Sequence, residues 1–149
     1  MKSKGVLPPT YLFVAIVAMV ALHFLLPGRH VIGFPWNLFG VVPVAAGLAM
    51  NLVADRAFKK HVTTVKPFEE SATLITGGVF RISRHPMYLG FMLILAGIAV
   101  FMGSLTPYAV VVVFAVLMEV VFIRVEERML EQKFGEAWLA YKAKVRRWI

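Results

Sequence analysis

The sequence predicts an all-α, polytopic membrane protein of about four transmembrane helices with a C-terminal amphipathic interfacial helix. Three observations carry that reading. Hydrophobic residues fill 60% of the 149 positions, and the mean hydropathy of +0.78 is far above that of an ordinary soluble domain. Four apolar runs recur, near residues 11–26, 31–54, 86–102 and 107–123, each close to the roughly 20 residues that cross a bilayer core. Cations gather between these runs on alternate sides only. A soluble protein with four buried helices would lack the polar surface to cover them.

The first run follows Lys2 and Lys4, as a secretory leader would. It ends in Leu25-Leu26-Pro27, which is no small-residue cleavage site, so it reads as a membrane helix. The second run, 31–54, leads into a polar connection rich in Lys, Thr and Gly. Within that connection Thr76-Gly77-Gly78 reads as a turn. The third run opens at Pro86, a residue suited to the first turn of a helix because its missing N–H costs nothing there. "GSLT" joins it to the fourth run. Beyond residue 123, Leu130, Phe134, Trp138, Tyr141, Val145 and Trp148 recur every three or four positions between charges. That spacing predicts an amphipathic helix on the inner interface, bent at Gly135, with aromatic anchors.

Charge sets the orientation. Of sixteen Lys and Arg, two precede the first run, six lie between Asp55 and His85, and seven follow from Arg124 onward. Only Arg29 lies between the first two runs. The positive-inside rule therefore puts both termini and the central connection in the cytoplasm. The net charge of +8 belongs to that one face, where attraction to anionic membrane lipids accounts for much of it. Scattered juxtamembrane cations without a binding module argue against nucleic acid, and nothing calls for an obligate protein partner. With no cysteine there is no thiolate nucleophile and no disulfide. The histidines at 23, 30, 61 and 85 share no metal-ligand spacing, and no G-x-S-x-G elbow occurs.

Chemistry concentrates at "RISRHPMYLG", residues 81–90. Arg84 and His85 sit at the mouth of the helix that Pro86 opens, where backbone N–H groups favour an anion. Arg81 is either a third cation of that gate or a lipid-facing charge. Glu126-Glu127 follow the fourth run directly, where cations would be routine. They either pair with Arg124 and Arg128 or face a pocket shared with His85. Glu119, inside the fourth run and seven residues before Glu126, is a functional candidate by its depth, and pairing with a neighbouring helix is as good a reading. His23 and Asn51 read as interhelical hydrogen-bonders, and Asp55 as an interfacial acid beside Arg56.

"LITGGVFRISRHPMYLG" followed by "EERMLEQKFGEAWLAYKAKV" resembles the integral-membrane methyltransferases of the isoprenylcysteine carboxyl methyltransferase and phospholipid methyltransferase group. The shared pattern is L-x-T-x-G-x-[YF], then R-H-P-x-Y, then E-E-x-x-L-x-x-x-F-G-x-x-[YW]-x-x-Y, over about the last 80 residues. The resemblance implies one integral-membrane domain over 1–149 with its cofactor part in 72–149. It implies S-adenosylmethionine at the cytoplasmic ends of the last two spans, roofed by the C-terminal helix, and a lateral opening for a lipid-like substrate. The matching cofactor-binding residues are Leu74, Ile75, Gly78, Phe80, Arg84, His85, Pro86, Met87, Tyr88, Glu126 and Glu127. Arg84 and His85 suit the cofactor's carboxylate, and a Glu suits its ammonium or diol. Glu119 and Arg124 are the catalytic candidates: an amine acceptor would use an acid to take its proton, and a carboxylate acceptor a cation.

Two positions depart from the pattern. Phe80 stands where the family often has Tyr, and Phe122 where many carboxyl-methylating relatives carry Arg. Carboxylate, amine and hydroxyl acceptors on a lipid-like carrier all stay open. Two rival readings are an NADPH-dependent membrane sterol or enone reductase and a non-catalytic lipid-binding protein. The first typically shows H-P-N-Y where this chain has "HPMY" and "EE", and the second lacks an inverted repeat.

Overall fold

A computed structural model describes residues 7–64, 66, 69 and 71–149; Lys2 and Lys4 lie outside them. The chain is helical, and the described residues form no strand, only one isolated bridge between His30 and Ser104. Helix α1 (Pro8–Leu25) starts on two prolines. A 3₁₀ turn (Trp36–Gly40) leads into α2 (Val41–Lys60). Helix α3 (Pro86–Met102) stops at Gly103, whose φ of 73° gives the left-handed cap that glycine adopts freely. Helix α4 (Thr106–Leu117) passes through a π-helical turn (Met118–Ile123) into α5 (Arg124–Phe134), and α6 (Glu136–Lys144) follows a break at Gly135.

Among the described residues three stretches are long and apolar enough to cross a membrane: Pro8–Leu25, Trp36–Lys60 and Thr106–Phe134. The fourth, α3, has only 17 residues, about 26 Å of helix. It is nevertheless the centre of the bundle, packed on α1, α2 and α4 and buried along much of its length. The second helical stretch is displaced from the expected 31–54. Gly33 and Pro35 keep residues 26–35 irregular ahead of α2, where Val31 and Ile32 donate to the Gly103 carbonyl. At the other end α2 runs on to Lys60, favoured by the Asp55–Lys59 ion pair at 2.6 Å and by two lysines at the helix C-terminus. Asp55 thus pairs one turn ahead, with Lys59.

Small residues set the α2–α3 distance. A Cβ at Gly40 or Gly47 would collide with the carbonyl of Gly97 or Gly90, and the reverse substitutions meet the same backbones. Two glycines seven residues apart on each partner thus let the backbones approach, the usual device where lipid gives no hydrophobic drive to association. His23 bridges as expected, with Nδ1 2.7 Å from Ser104 Oγ. Asn51 does not: its amide donates to Gly47 O in its own helix at 2.9 Å.

Burial divides into two clusters. Met19, Leu95, Met118 and Phe122 are among the residues that fill the bundle. Ile75, Phe80, Trp138, Tyr141 and Val145 form a second cluster at the basic end. The C-terminal stripe is therefore a packing face over the 74–80 segment, with Trp138 1% exposed, more than a set of interfacial anchors.

Candidate ligand-binding site

The segment before α3 is clamped on both sides. Tyr141 donates its hydroxyl to Phe80 O at 2.6 Å, and the Phe80 ring meets Phe58 of α2 edge-on at 5.5 Å. Ser83 is fully buried; its hydroxyl donates to Arg147 O at 2.9 Å and accepts from the His85 N–H at 3.1 Å. The Arg84 N–H donates to Arg146 O at 3.1 Å. Residues 83–85 are thus pinned between the start of α3 and the stretch after α6.

Glu127 is the hub of the charges gathered there. It is 5% exposed. Oε1 lies 3.1 Å from Arg84 Nη2 and 3.3 Å from His85 Nε2. Arg147 closes a two-toothed fork on it, with Nε 3.1 Å from Oε1 and Nη2 2.6 Å from Oε2. The third nitrogen of that guanidinium, Nη1, donates to Glu119. On the other side of the imidazole, His85 Nδ1 is 3.4 Å from Glu126 Oε2, while Tyr88 donates to Glu126 Oε1 at 2.5 Å. Burial works against a charged His85, but hydrogen bonds and the fields of Glu126 and Glu127 outweigh it and raise its pKa above the ordinary value. Its attachment to Glu127 and Glu119 raises that of Arg147.

The π-helical turn explains which acids meet. In a regular helix Glu126, seven residues on, would lie roughly 20° from Glu119, and Glu127 roughly 80° away. The wider turn at Met118–Ile123 absorbs about one residue. Glu119 therefore shares its face with Glu127, and Glu126 swings towards His85 and Tyr88.

A cavity of about 520 Å³ opens beside this cluster. Its wall draws on the first turn of α1 (Leu7, Pro8, Pro9), Phe58, the 73–80 segment, the start of α3, one side of α5, and Trp138 and Tyr141. Of the residues singled out by sequence, Leu74, Ile75, Phe80, Arg84, His85, Pro86, Met87, Tyr88 and Glu126 line it. Gly78 does not; it is exposed at a φ of 59°. Glu127 lies behind the wall, beneath Arg84 and His85. Glu119 and Arg124 are also off the wall. They pair with each other (Nε to Oε1, 3.5 Å), and Glu119 also pairs with Arg147. Arg81 is exposed.

Sequence reasoning passed over Arg147, Ser83, Phe58, Phe91 and the first turn of α1. Arg147 counted only as an orientation charge, and no spacing signal distinguishes it from Arg146. Two residues of the wall are unspent: Arg84 Nε and Nη1 and Trp138 Nε1 are buried donors without partners among the described residues. The Arg84 guanidinium also lies 5.7 Å from the centre of the Trp138 ring, a cation–π separation. Donors left unpaired at a cavity wall suit an anionic ligand, since an unmet buried donor is costly.

Fold and site together define a polytopic membrane protein with an acid-braced, cation-lipped cavity at its basic end. The chain belongs to the phospholipid methyltransferase family, whose model matches residues 36–137. It is 34% identical over 114 residues to protein-S-isoprenylcysteine O-methyltransferase A of Arabidopsis thaliana, covering 72% of this chain and 55% of that one. It is 36% identical over 100 residues to protein-S-isoprenylcysteine O-methyltransferase of Saccharomyces cerevisiae, covering 66% and 40%. A Haemophilus influenzae protein of uncharacterized function is 38% identical over 63 residues, 42% of this chain and 100% of that one. The chain thus spans about half the length of the methyltransferases it matches. Its fold is that of a eukaryotic intramembrane Ras methyltransferase, isoprenylcysteine carboxyl methyltransferase, with a TM-score of 0.68 and 22% identity over 95% of this chain and 52% of the other.

Proposed function

We propose that this protein is an S-adenosylmethionine-dependent methyltransferase acting on an acceptor carried by a lipid-like, membrane-embedded molecule. The observation that carries the reading is the unspent donor set of Arg84 and Trp138 at the wall of a largely apolar cavity, in a chain of this family. Relatives named for isoprenylcysteine O-methylation support a lipid-modified acceptor. In this reading residues 1–149 carry one integral-membrane methyltransferase-like domain. The 72–149 part supplies most of the cofactor contacts, with Phe58 and the α1 start completing the wall.

The residues present fit the cofactor. Arg84 lines the cavity with its guanidinium held by Glu127. Its Nε and Nη1, buried and without a partner among the described residues, would be satisfied by a carboxylate if the guanidinium turned toward the cavity. Glu126 presents a carboxylate to an ammonium or a diol, and Tyr88 and His85 fix its direction. Leu74, Ile75, Phe80, Met129 and Leu130 supply an apolar wall for a flat heterocycle. When bound, S-adenosylmethionine supplies an electrophilic methyl group on a sulfonium. The chain's part is to hold the acceptor in line and to keep water out, which can account for much of the acceleration in such a displacement. Because Glu119 and Arg124 pair away from the wall, Glu126 is the acid placed to take a proton from an amine acceptor. A carboxylate acceptor would need only a neighbouring cation.

The acceptor reaches the cavity sideways from the bilayer. The α1 start and Phe58 belong to helices that both pack on α3 but not tightly on each other, and both border the cavity. The charge distribution supports a cytoplasmic position for this end. The test compares methylation of one acceptor with and without a long alkyl or prenyl chain. Preference for the chain-bearing form supports the proposal, and equal rates on the soluble form refute lateral access.

A further inference from the structure

Behind the cavity wall, Arg147 ties two acids of the fourth helical stretch together. Its three guanidinium nitrogens serve two acids: Nε and Nη2 engage both oxygens of Glu127, and Nη1 engages Glu119. Those acids share a face only because the π-helical turn lies between them. The backbone of the same stretch holds the mouth of α3 independently, through Arg146 O to the Arg84 N–H and Arg147 O to the Ser83 hydroxyl. Glu127 in turn touches both residues that open the cavity, Arg84 and His85.

We infer that Arg147 is a positioning residue for the ligand site: through Glu127 it fixes Arg84 and His85 in the orientation that presents them to the cavity. Arg147 itself is not on the cavity wall and acts only through the acids. Without it, Glu127 would carry its charge against Arg84 and His85 alone. The carboxylate would be free to turn and to draw the Arg84 guanidinium away from the ligand. A planar fork suits this geometry, because its donors are spread over three nitrogens. They reach both oxygens of Glu127 and one of Glu119 at once, where an ammonium has a single nitrogen. The inference rests on the methyltransferase reading only for the identity of the ligand.

The test uses the full chain in detergent, with Arg147→Gln and Arg147→Lys. Two quantities are measured: affinity for S-adenosylhomocysteine, and the titration midpoint of His85 by nitrogen NMR of labelled histidines. The His85→Gln variant assigns the resonance. Around His85 stand Arg84, Tyr88, Glu126 and Glu127, with Arg147 behind Glu127. Removing that cation leaves the acid's field on the imidazole less compensated, so Arg147→Gln is expected to move the midpoint upward. The same variant should bind S-adenosylhomocysteine about tenfold more weakly, as expected when the half-buried fork that holds the buried Glu127 carboxylate is removed. Arg147→Lys keeps the charge and should fold, yet lose affinity by about threefold for want of the fork. An unmoved His85 midpoint in folded Arg147→Gln overturns the inference. So does wild-type affinity in Arg147→Lys. If the wild type itself ignored S-adenosylhomocysteine, the cofactor reading would fall and the His85 midpoint would decide the role of Arg147 alone.

Discussion

Tyr88 donates its phenolic hydrogen to Glu126 across 2.5 Å, tying the first turn of α3 to the helix that continues the fourth span. The bond joins residues 38 positions apart and sets the side of Glu126 that faces the cavity. Tyr88→Phe keeps the ring, which packs near Phe91 and Phe122, and removes only the donor. It should cost about 1.5 kcal/mol of stability, the scale of a hydrogen bond to a charged group. Denaturant titration in detergent measures it, and a variant as stable as wild type would show the bond to be idle.

His85 gives the site a pH dependence of definite sign. Its pKa is raised in the folded protein against the opposing effect of burial. The stabilisation is therefore fully present below the unfolded value of about 6.5 and is lost as pH climbs through the higher folded value. Stability profiles from pH 6 to 9 should decline in wild type and flatten in His85→Gln. Superimposable profiles would remove His85 from the ion-pair cluster.

The α2–α3 contact predicts a contrast between two glycines. At Gly97 a Cβ would meet Val44 Cγ2 at 2.6 Å and Val44 N at 2.8 Å, whereas at Gly77 nothing lies within 4 Å. Gly97→Ala should destabilise by about 1–3 kcal/mol through overpacking, and Gly77→Ala should be close to neutral. Melting temperatures that moved equally in both would contradict the close approach.

Topology is testable because the chain contains no cysteine. Leu105→Cys is exposed between α3 and α4, and Lys144→Cys is exposed at the end of α6. An impermeant thiol reagent applied from the cytoplasmic side should label only Lys144→Cys. Labelling of Leu105→Cys from that side would overturn the orientation.

Much of this was legible in the sequence because it is local. Pro86 starting a helix and the four apolar stretches follow from backbone chemistry and solvent. The nearness of Arg84, His85 and Tyr88 follows from one helix turn. What stayed hidden depends on register and on contacts between distant segments. The π-helical turn adds about one residue to the winding, so Glu119 aligns with Glu127 and not with Glu126, and no residue type in "MEVVFI" announces it. Arg147 reaches its acids across 20 and 28 positions, which periodicity cannot foresee. Trp138 fits an anchor and a packed ring equally well until the 74–80 segment is found beneath it.

The central claim is that the Arg84–His85 mouth binds S-adenosylmethionine. Equilibrium binding of S-adenosylhomocysteine and of NADPH to the purified protein tests it most directly, in wild type and in Arg84→Gln. The expected result is binding of S-adenosylhomocysteine but not NADPH, weakened at least about tenfold in folded Arg84→Gln through loss of a charge-assisted contact. Binding of NADPH instead, or S-adenosylhomocysteine affinity indifferent to Arg84→Gln, would contradict it.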